Sequence, residues 1–131
     1  MNKITDPISR LLISAIFLSS GYFKAAHFSA TAQSLAGLNI PLPTLAAVVA
    51  ILIEIGGGLA ILIGWHARLA AWLQFLYLVP VTIMIHNFWA APAAMQQDQM
   101  AHFLKNVAIM GGLLFFTQYG PGETAVDTSH K

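Results

Sequence analysis

No cysteine occurs in the chain, which excludes disulfides, thiolate metal sites, iron–sulfur ligation and dithiol redox chemistry from the polypeptide itself. Charge is nearly as scarce. Only 8% of the 131 residues are Asp, Glu, Lys or Arg, against about 25% in a typical soluble domain. The formal net charge is +1 with no basic stripe, so nucleic acid is excluded as a partner. No internal repeat is evident, and the non-apolar pieces are short loops and a tail, too small for a separate soluble module. What remains is apolar: 57% of residues are hydrophobic and the mean hydropathy is +0.71. Too few polar residues are left to cover a water-facing surface. The sequence therefore describes one integral membrane domain whose first partner is the lipid bilayer.

Crossing a hydrocarbon core of about 30 Å takes about 20 mostly apolar residues. Four stretches qualify, at about residues 8–28, 43–64, 69–89 and 101–119. The expected fold class is all-α, an integral membrane four-helix bundle filling residues 1–131 as a single domain. Asp6-Pro7 reads as an N-cap followed by proline at the first helical position, and Gly120-Pro121-Gly122 as a terminator. Pro80 is an expected kink. The turn Trp65–Arg68 is so short that spans two and three must be antiparallel neighbours. Ser29–Leu42, with Gly37, Asn39 and Pro41, reads as a loop, and so does Ala90–Asp98. Lys3, Arg10, Arg68 and Lys131 fall at one side and Lys24 and Lys105 at the other, which predicts both termini cytoplasmic. The Lys3…Arg10 start also fits a cleaved signal peptide, but Lys24 follows the apolar run at once and argues for a retained span.

The polar residues inside these spans converge in depth. Thirteen residues separate Arg10 from Lys24, about 20 Å of helix. If Arg10 marks the cytoplasmic interface, Lys24 lies inside the outer leaflet. Glu54 stands about ten residues into span two, near mid-depth. His86 and Asn87 end span three, while His102, Lys105 and Asn106 open span four. The expected ligand-binding constellation is Lys24, Glu54, His86, Asn87, Lys105 and Asn106, in the outer half of the bundle. Small residues share its faces: Ser20 and Gly21 with Lys24, Gly57 and Gly58 with Glu54, Ala108 and Gly112 with Lys105.

Each of these groups has a plainer reading. Lysines near helix ends snorkel to headgroups. His86 and Asn87 sit beside Trp89, and Trp65, Trp72, Tyr77 and Tyr119 read as interface anchors or core. Glu54 is different, because an intramembrane carboxylate too deep to snorkel must be protonated, paired or hydrated. Lys24 and Lys105 are both available as its partner. Haem ligation is not expected, since His86 and His102 both sit at span ends. Metal binding by His27, His86 and His102 lacks a carboxylate-rich second shell, so no metal is expected either.

A family likeness runs through nearly the whole chain. It is carried by Arg10-Leu-Leu…Ser20-Gly-Tyr-Phe-Lys24, Leu38-Asn-Ile-Pro-Leu-Pro43, Glu54-Ile-Gly-Gly-Gly and Gly64-Trp-His-Ala-Arg68. His86-Asn-Phe-Trp89, Phe103-Leu-Lys-Asn-Val-Ala-Ile-Met-Gly-Gly112 and Gly120-Pro-Gly complete it. In this order the fragments resemble the DoxX family of small bacterial membrane proteins. The resemblance implies a multi-pass protein of the bacterial inner (plasma) membrane. Some members belong to thiosulfate:quinone oxidoreductase and others are associated with redox and oxidative-stress complexes. It supplies no catalytic set; the recurring polar positions correspond to Arg10, Lys24, Glu54, Arg68, His86, Lys105 and Asn106. Lacking cysteine and any fused extra domain, this chain departs from the better-defined redox relatives.

Three functional readings follow. The first is a redox-accessory subunit that handles a quinone, with lysine and amide donors for its carbonyls and Glu54 for proton exchange. A small proton-coupled transporter built on the membrane carboxylate is the second. In the third, the polar cluster only orders the bundle of an assembly or scaffold subunit. A redox partner protein or a homodimer suits the first and third.

Overall fold

The computed structural model describes residues 3–126; Lys131, which entered the orientation argument, lies outside the described residues. Among the described residues all regular structure is helical. The order is α1 (Thr5–Ala26), α2 (Phe28–Gly37), α3 (Pro43–Ile51), a π-helical turn (Leu52–Gly56), α4 (Gly57–Ile63), α5 (Ala67–Ile85), a 3₁₀ turn (Phe88–Ala90) and α6 (Ala93–Tyr119). Among the described residues three helical runs are long and apolar enough to cross a bilayer: Pro43–Ile63, Ala67–Ala90 and Ala93–Tyr119. A fourth exists if α1 and α2, bent by 96° at a single residue, count as one broken span.

Two segments differ from the expected loops. Residues 28–37 are helical because the run Ser-Ala-Thr-Ala-Gln-Ser-Leu-Ala contains neither proline nor glycine, and only beyond Gly37 do Asn39 and Pro41 break it. The long helix of the last span starts at Ala93, not near residue 101. Ala, Met and Gln are good helix formers whatever their polarity, and Pro92 stands just before the first turn, where it stops no hydrogen bond.

The bundle is polar inside and apolar outside. Its small apolar core is Phe17, Ile61, Ala70, Ala71, Leu78 and Leu113. Ser14, Gln74, Thr82, Asn106 and Thr117 are buried with it, while large side chains such as Leu12, Leu76 and Phe115 point outward. Lipid inverts the soluble pattern in this way, since acyl chains solvate leucine as well as a protein core does. Lys105 and Ala108 lie on that outer face of α6, Gly112 lies beside Ile13 of α1, and the inward stripe is Asn106, Leu113 and Thr117.

One end of the bundle is closed by residues 120–126, which turn back from α6. Gly120 breaks the helix at φ +76°, and its missing side chain lets the Arg68 guanidinium lie against it. Arg10, only 5% exposed, donates to the Pro121 carbonyl at 2.8 Å and to Thr124 Oγ1 at 3.2 Å. The Glu123 amide donates to Asp6 Oδ2 at 3.2 Å, and the Val126 amide to the last carbonyls of α4 at Ile63, 3.0 Å. The segment thereby bridges α1, α4 and α5.

Candidate functional site

The fold places Glu54 in the π-helical turn rather than in regular α-helix. Such turns widen a helix by one residue and are frequent at functional positions. Here α1 crosses the widened turn in contact. A Cβ on Gly21 would come within 2.6 Å of Ile55 Cγ1 and 3.1 Å of Glu54 Cβ, so only glycine admits this approach. Gly57 does the same on the other side, where Gln74 of α5 fills its missing side chain and donates to the Ile53 carbonyl at 3.4 Å.

Lys24 lies four residues after Ser20, and the two reach Glu54 together. Lys24 Nζ donates to Glu54 Oε1 at 3.0 Å and to Oε2 at 3.1 Å, and to Ser20 Oγ at 2.6 Å. The Ser20 hydroxyl passes its own proton towards Glu54 Oε1 at 3.3 Å. Tyr77 of α5 donates its hydroxyl to the same oxygen at 2.9 Å. The carboxylate thus receives an ammonium and two hydroxyls, and the cluster as a whole carries no net charge. Glu54 is 5% exposed, whereas the Lys24 side chain is 28% exposed.

That remaining exposure opens into a cavity of about 440 Å³. Lys24 and Tyr77 form its polar end. The other walls are apolar: Leu35 of α2, Leu42 ahead of α3, Val49 of α3 and Met84 of α5 are among them. A volume of this size lies in the ordinary range of small-molecule sites, and a few polar groups in an apolar wall are their usual chemistry.

The six expected site residues do not form one constellation. Lys24 and Glu54 are joined, but Lys105 is not Glu54's partner. Its ammonium lies 3.3 Å from His102 Nδ1 on the outer face of α6. Lys24 is thus the partner among the two available lysines; Lys105 and Ala108 are exposed, although Gly112 on the same stripe meets Ile13 of α1. His86 belongs to a second group with Lys105, its ring stacked on His102 at 5.1 Å and its Nδ1 2.9 Å from Gln99 Oε1. Asp98 Oδ2 lies 3.6 Å from His102 Nε2. Asn87 precedes the 3₁₀ turn, and Asn106 is buried on the inner stripe of α6. His27 stands at the α1–α2 bend, bonded to the Phe23 carbonyl at 3.0 Å.

Ser20 and Tyr77 were the functional side chains the sequence reading left out of the site. Tyr77 carried a usable signal. It lies ten residues beyond Ala67, about 15 Å along the helix, which is too deep for an interface anchor.

The DoxX family profile matches residues 6–87, a range that holds Lys24, Glu54 and Tyr77. Inner membrane protein YphA of Escherichia coli (strain K12) is 32% identical over 120 residues, covering 92% of this chain and 86% of that one. Inner membrane protein YqjF of the same organism is 30% identical over 130 residues, covering 97% and 95%. The ER-derived vesicles protein ERV29 of Saccharomyces cerevisiae is 30% identical over 81 residues, which is 62% of this chain and 26% of that protein. No solved structure matches.

Proposed function

The chain belongs to the DoxX family and is a multi-pass inner-membrane protein, and from that premise we propose that it binds a neutral lipophilic carbonyl compound of the quinone class, as a redox-accessory membrane subunit. The observation that carries this reading is the apolar cavity ending on Lys24 and Tyr77. Glu54 already neutralises Lys24, so an anionic headgroup would leave an unbalanced charge in a low-dielectric site. A neutral carbonyl avoids that penalty and accepts hydrogen bonds when Lys24 turns one N–H from Ser20, and Tyr77 its hydroxyl from Glu54, towards the cavity. Reduction of a quinone to the quinol takes two electrons and two protons. A redox partner protein would supply both electrons and water both protons, each relayed in turn to a ring oxygen through the Tyr77–Glu54 hydrogen bond.

The test is retention of decyl-benzoquinone by the purified protein in lipid nanodiscs. Tyr77→Phe is expected to weaken retention about fivefold to tenfold, the worth of one hydrogen bond. Lys24→Met is expected to abolish it. Retention by Lys24→Met equal to that of the parent protein would sink the reading. A second reading, a purely structural cluster in an assembly subunit, is favoured by the way Lys24, Ser20, Glu54 and Tyr77 pin α1, the π-turn and α5 together. It predicts a variant that misfolds and a parent that never holds quinone.

The proposal includes an orientation: the closed end bearing Arg10, Arg68 and residues 120–126 faces the cytoplasm. Glu123 is exposed there, and the chain has no native thiol. Glu123→Cys is therefore expected to react with a membrane-impermeant maleimide only after spheroplasts are broken. Labelling in intact spheroplasts reverses the orientation.

A further inference from the structure

The cavity has one wall unlike the others. Leu35, Ile40, Pro41 and Leu42 come from α2 and the turn after it, whereas the remaining lining residues sit on α1 and on the membrane-crossing runs. This wall is loosely built. Not one residue of α2 is buried, and the helix packs mainly against α3. It joins α1 at the 96° bend at His27, where Thr31 Oγ1 donates to the His27 carbonyl at 2.9 Å and to the Lys24 carbonyl of α1 at 3.4 Å. At its far end Asn39 and Leu42 both adopt left-handed backbone, φ 60° and 49°. For leucine that conformation costs about 1–2 kcal/mol, strain that a different arrangement of the turn would release.

Its composition says where the wall can move. No Asp, Glu, Lys or Arg occurs between Lys24 and Glu54, so the whole segment can swing within the bilayer without dragging a charge into hydrocarbon. The residues beside the wall are apolar and outward-facing: Leu42 is 69% exposed and Leu45 56% exposed. Both line the cavity as well. The cavity therefore borders lipid across this wall.

We infer that residues 28–42 form a lateral gate, hinged at His27, through which the occupant passes from the bilayer with its apolar chain trailing between the gate and α3. The inference rests on the quinone reading for the identity of the head and adds the route and the chain. A head that binds Lys24 and Tyr77 lies at the inner end of the cavity, and a chain leaving past Leu42 and Leu45 meets acyl tails directly. Lipid-borne molecules of this shape are already concentrated in the membrane, so no aqueous step is needed.

The absence of native cysteine makes a direct test possible. Leu35→Cys sits on the gate and Met84→Cys on α5 across the cavity, and the double variant carries only those two thiols. It is bridged with a flexible bismaleimide whose linker contains a reducible bond, and exchange of bound decyl-benzoquinone is timed in nanodiscs. The unbridged double variant, which already carries both substitutions in the cavity wall, is the reference for exchange. The bridged protein is expected to exchange about tenfold more slowly or worse, with the rate restored by reductant. Unchanged exchange in a fully bridged protein that still holds quinone overturns the gate and leaves the site standing. Failure of every protein, the parent included, to hold decyl-benzoquinone overturns the occupant and the gate with it.

Discussion

Lys24→Met is expected to lower the stability of the protein by about 3 kcal/mol, the usual loss when one partner of a buried ion pair is removed. The variant leaves Glu54 among apolar side chains with only the Ser20 and Tyr77 hydroxyls to stabilise it. Glu54→Gln is expected to cost less. The Lys24 side chain keeps 28% exposure and four flexible methylenes, so a lysine without its carboxylate can bend towards polar surroundings, whereas Glu54 is held on the π-turn and cannot. The double variant Lys24→Met/Glu54→Gln is expected to recover most of the loss, because no buried charge remains. Thermal unfolding of the three variants in one detergent decides the matter. A double variant as unstable as Lys24→Met would mean that the destabilisation comes from packing around α1 and not from an isolated charge.

Gly122→Ala is expected to release residues 120–126 from the bundle end, with a loss of about 2 kcal/mol or more from backbone strain alone. Gly122 has φ +90°, and any Cβ there collides with the Asp6 side chain. Because Asp6 accepts the Glu123 amide, the collision also breaks that hydrogen bond. Arg10→Ala should give the same outcome by another route, since it strips the Pro121 carbonyl and the Thr124 hydroxyl of their donor. The readout is hydrogen exchange of the Val126 amide, protected in the parent by the Ile63 carbonyl, together with the thermal midpoint. The cavity lies beyond the far ends of these contacts, so quinone retention should be unchanged at temperatures where the variants remain folded. Slow Val126 exchange in Gly122→Ala would show that the segment tolerates the side chain.

The all-α membrane architecture was legible because hydropathy and the scarcity of charge leave no other option. The ion pair was half legible. Depth counting brought Lys24 and Lys105 equally close to Glu54, but which face of a helix turns inward is a matter of packing, and the small residues beside Lys105 pointed the wrong way. The π-turn was not legible at all. Nothing in Leu52-Ile-Glu-Ile-Gly56 distinguishes it from regular helix, because one extra residue per turn is selected by contacts from α1 at Gly21 and from α5 at Gln74. Helix α2 was hidden by the prolines and glycine that follow it, and the start of α6 by its polar side chains. In both segments local helix propensity decided the outcome: the breakers act only beyond Gly37, and the polarity of residues 93–100 does not oppose helix.

The fold also imposes an order on its own making. Arg10 belongs to the first helix, yet the carbonyl that receives it lies 111 residues later in the chain. During synthesis the early helices enter the membrane while that carbonyl is still untranslated. The guanidinium must wait among headgroups and water, and it sinks to its final depth only when Pro121 and Thr124 emerge. A nascent protein halted after Tyr119 would thus hold α1 to α6 in the membrane without the carbonyl that draws this cationic side chain inward.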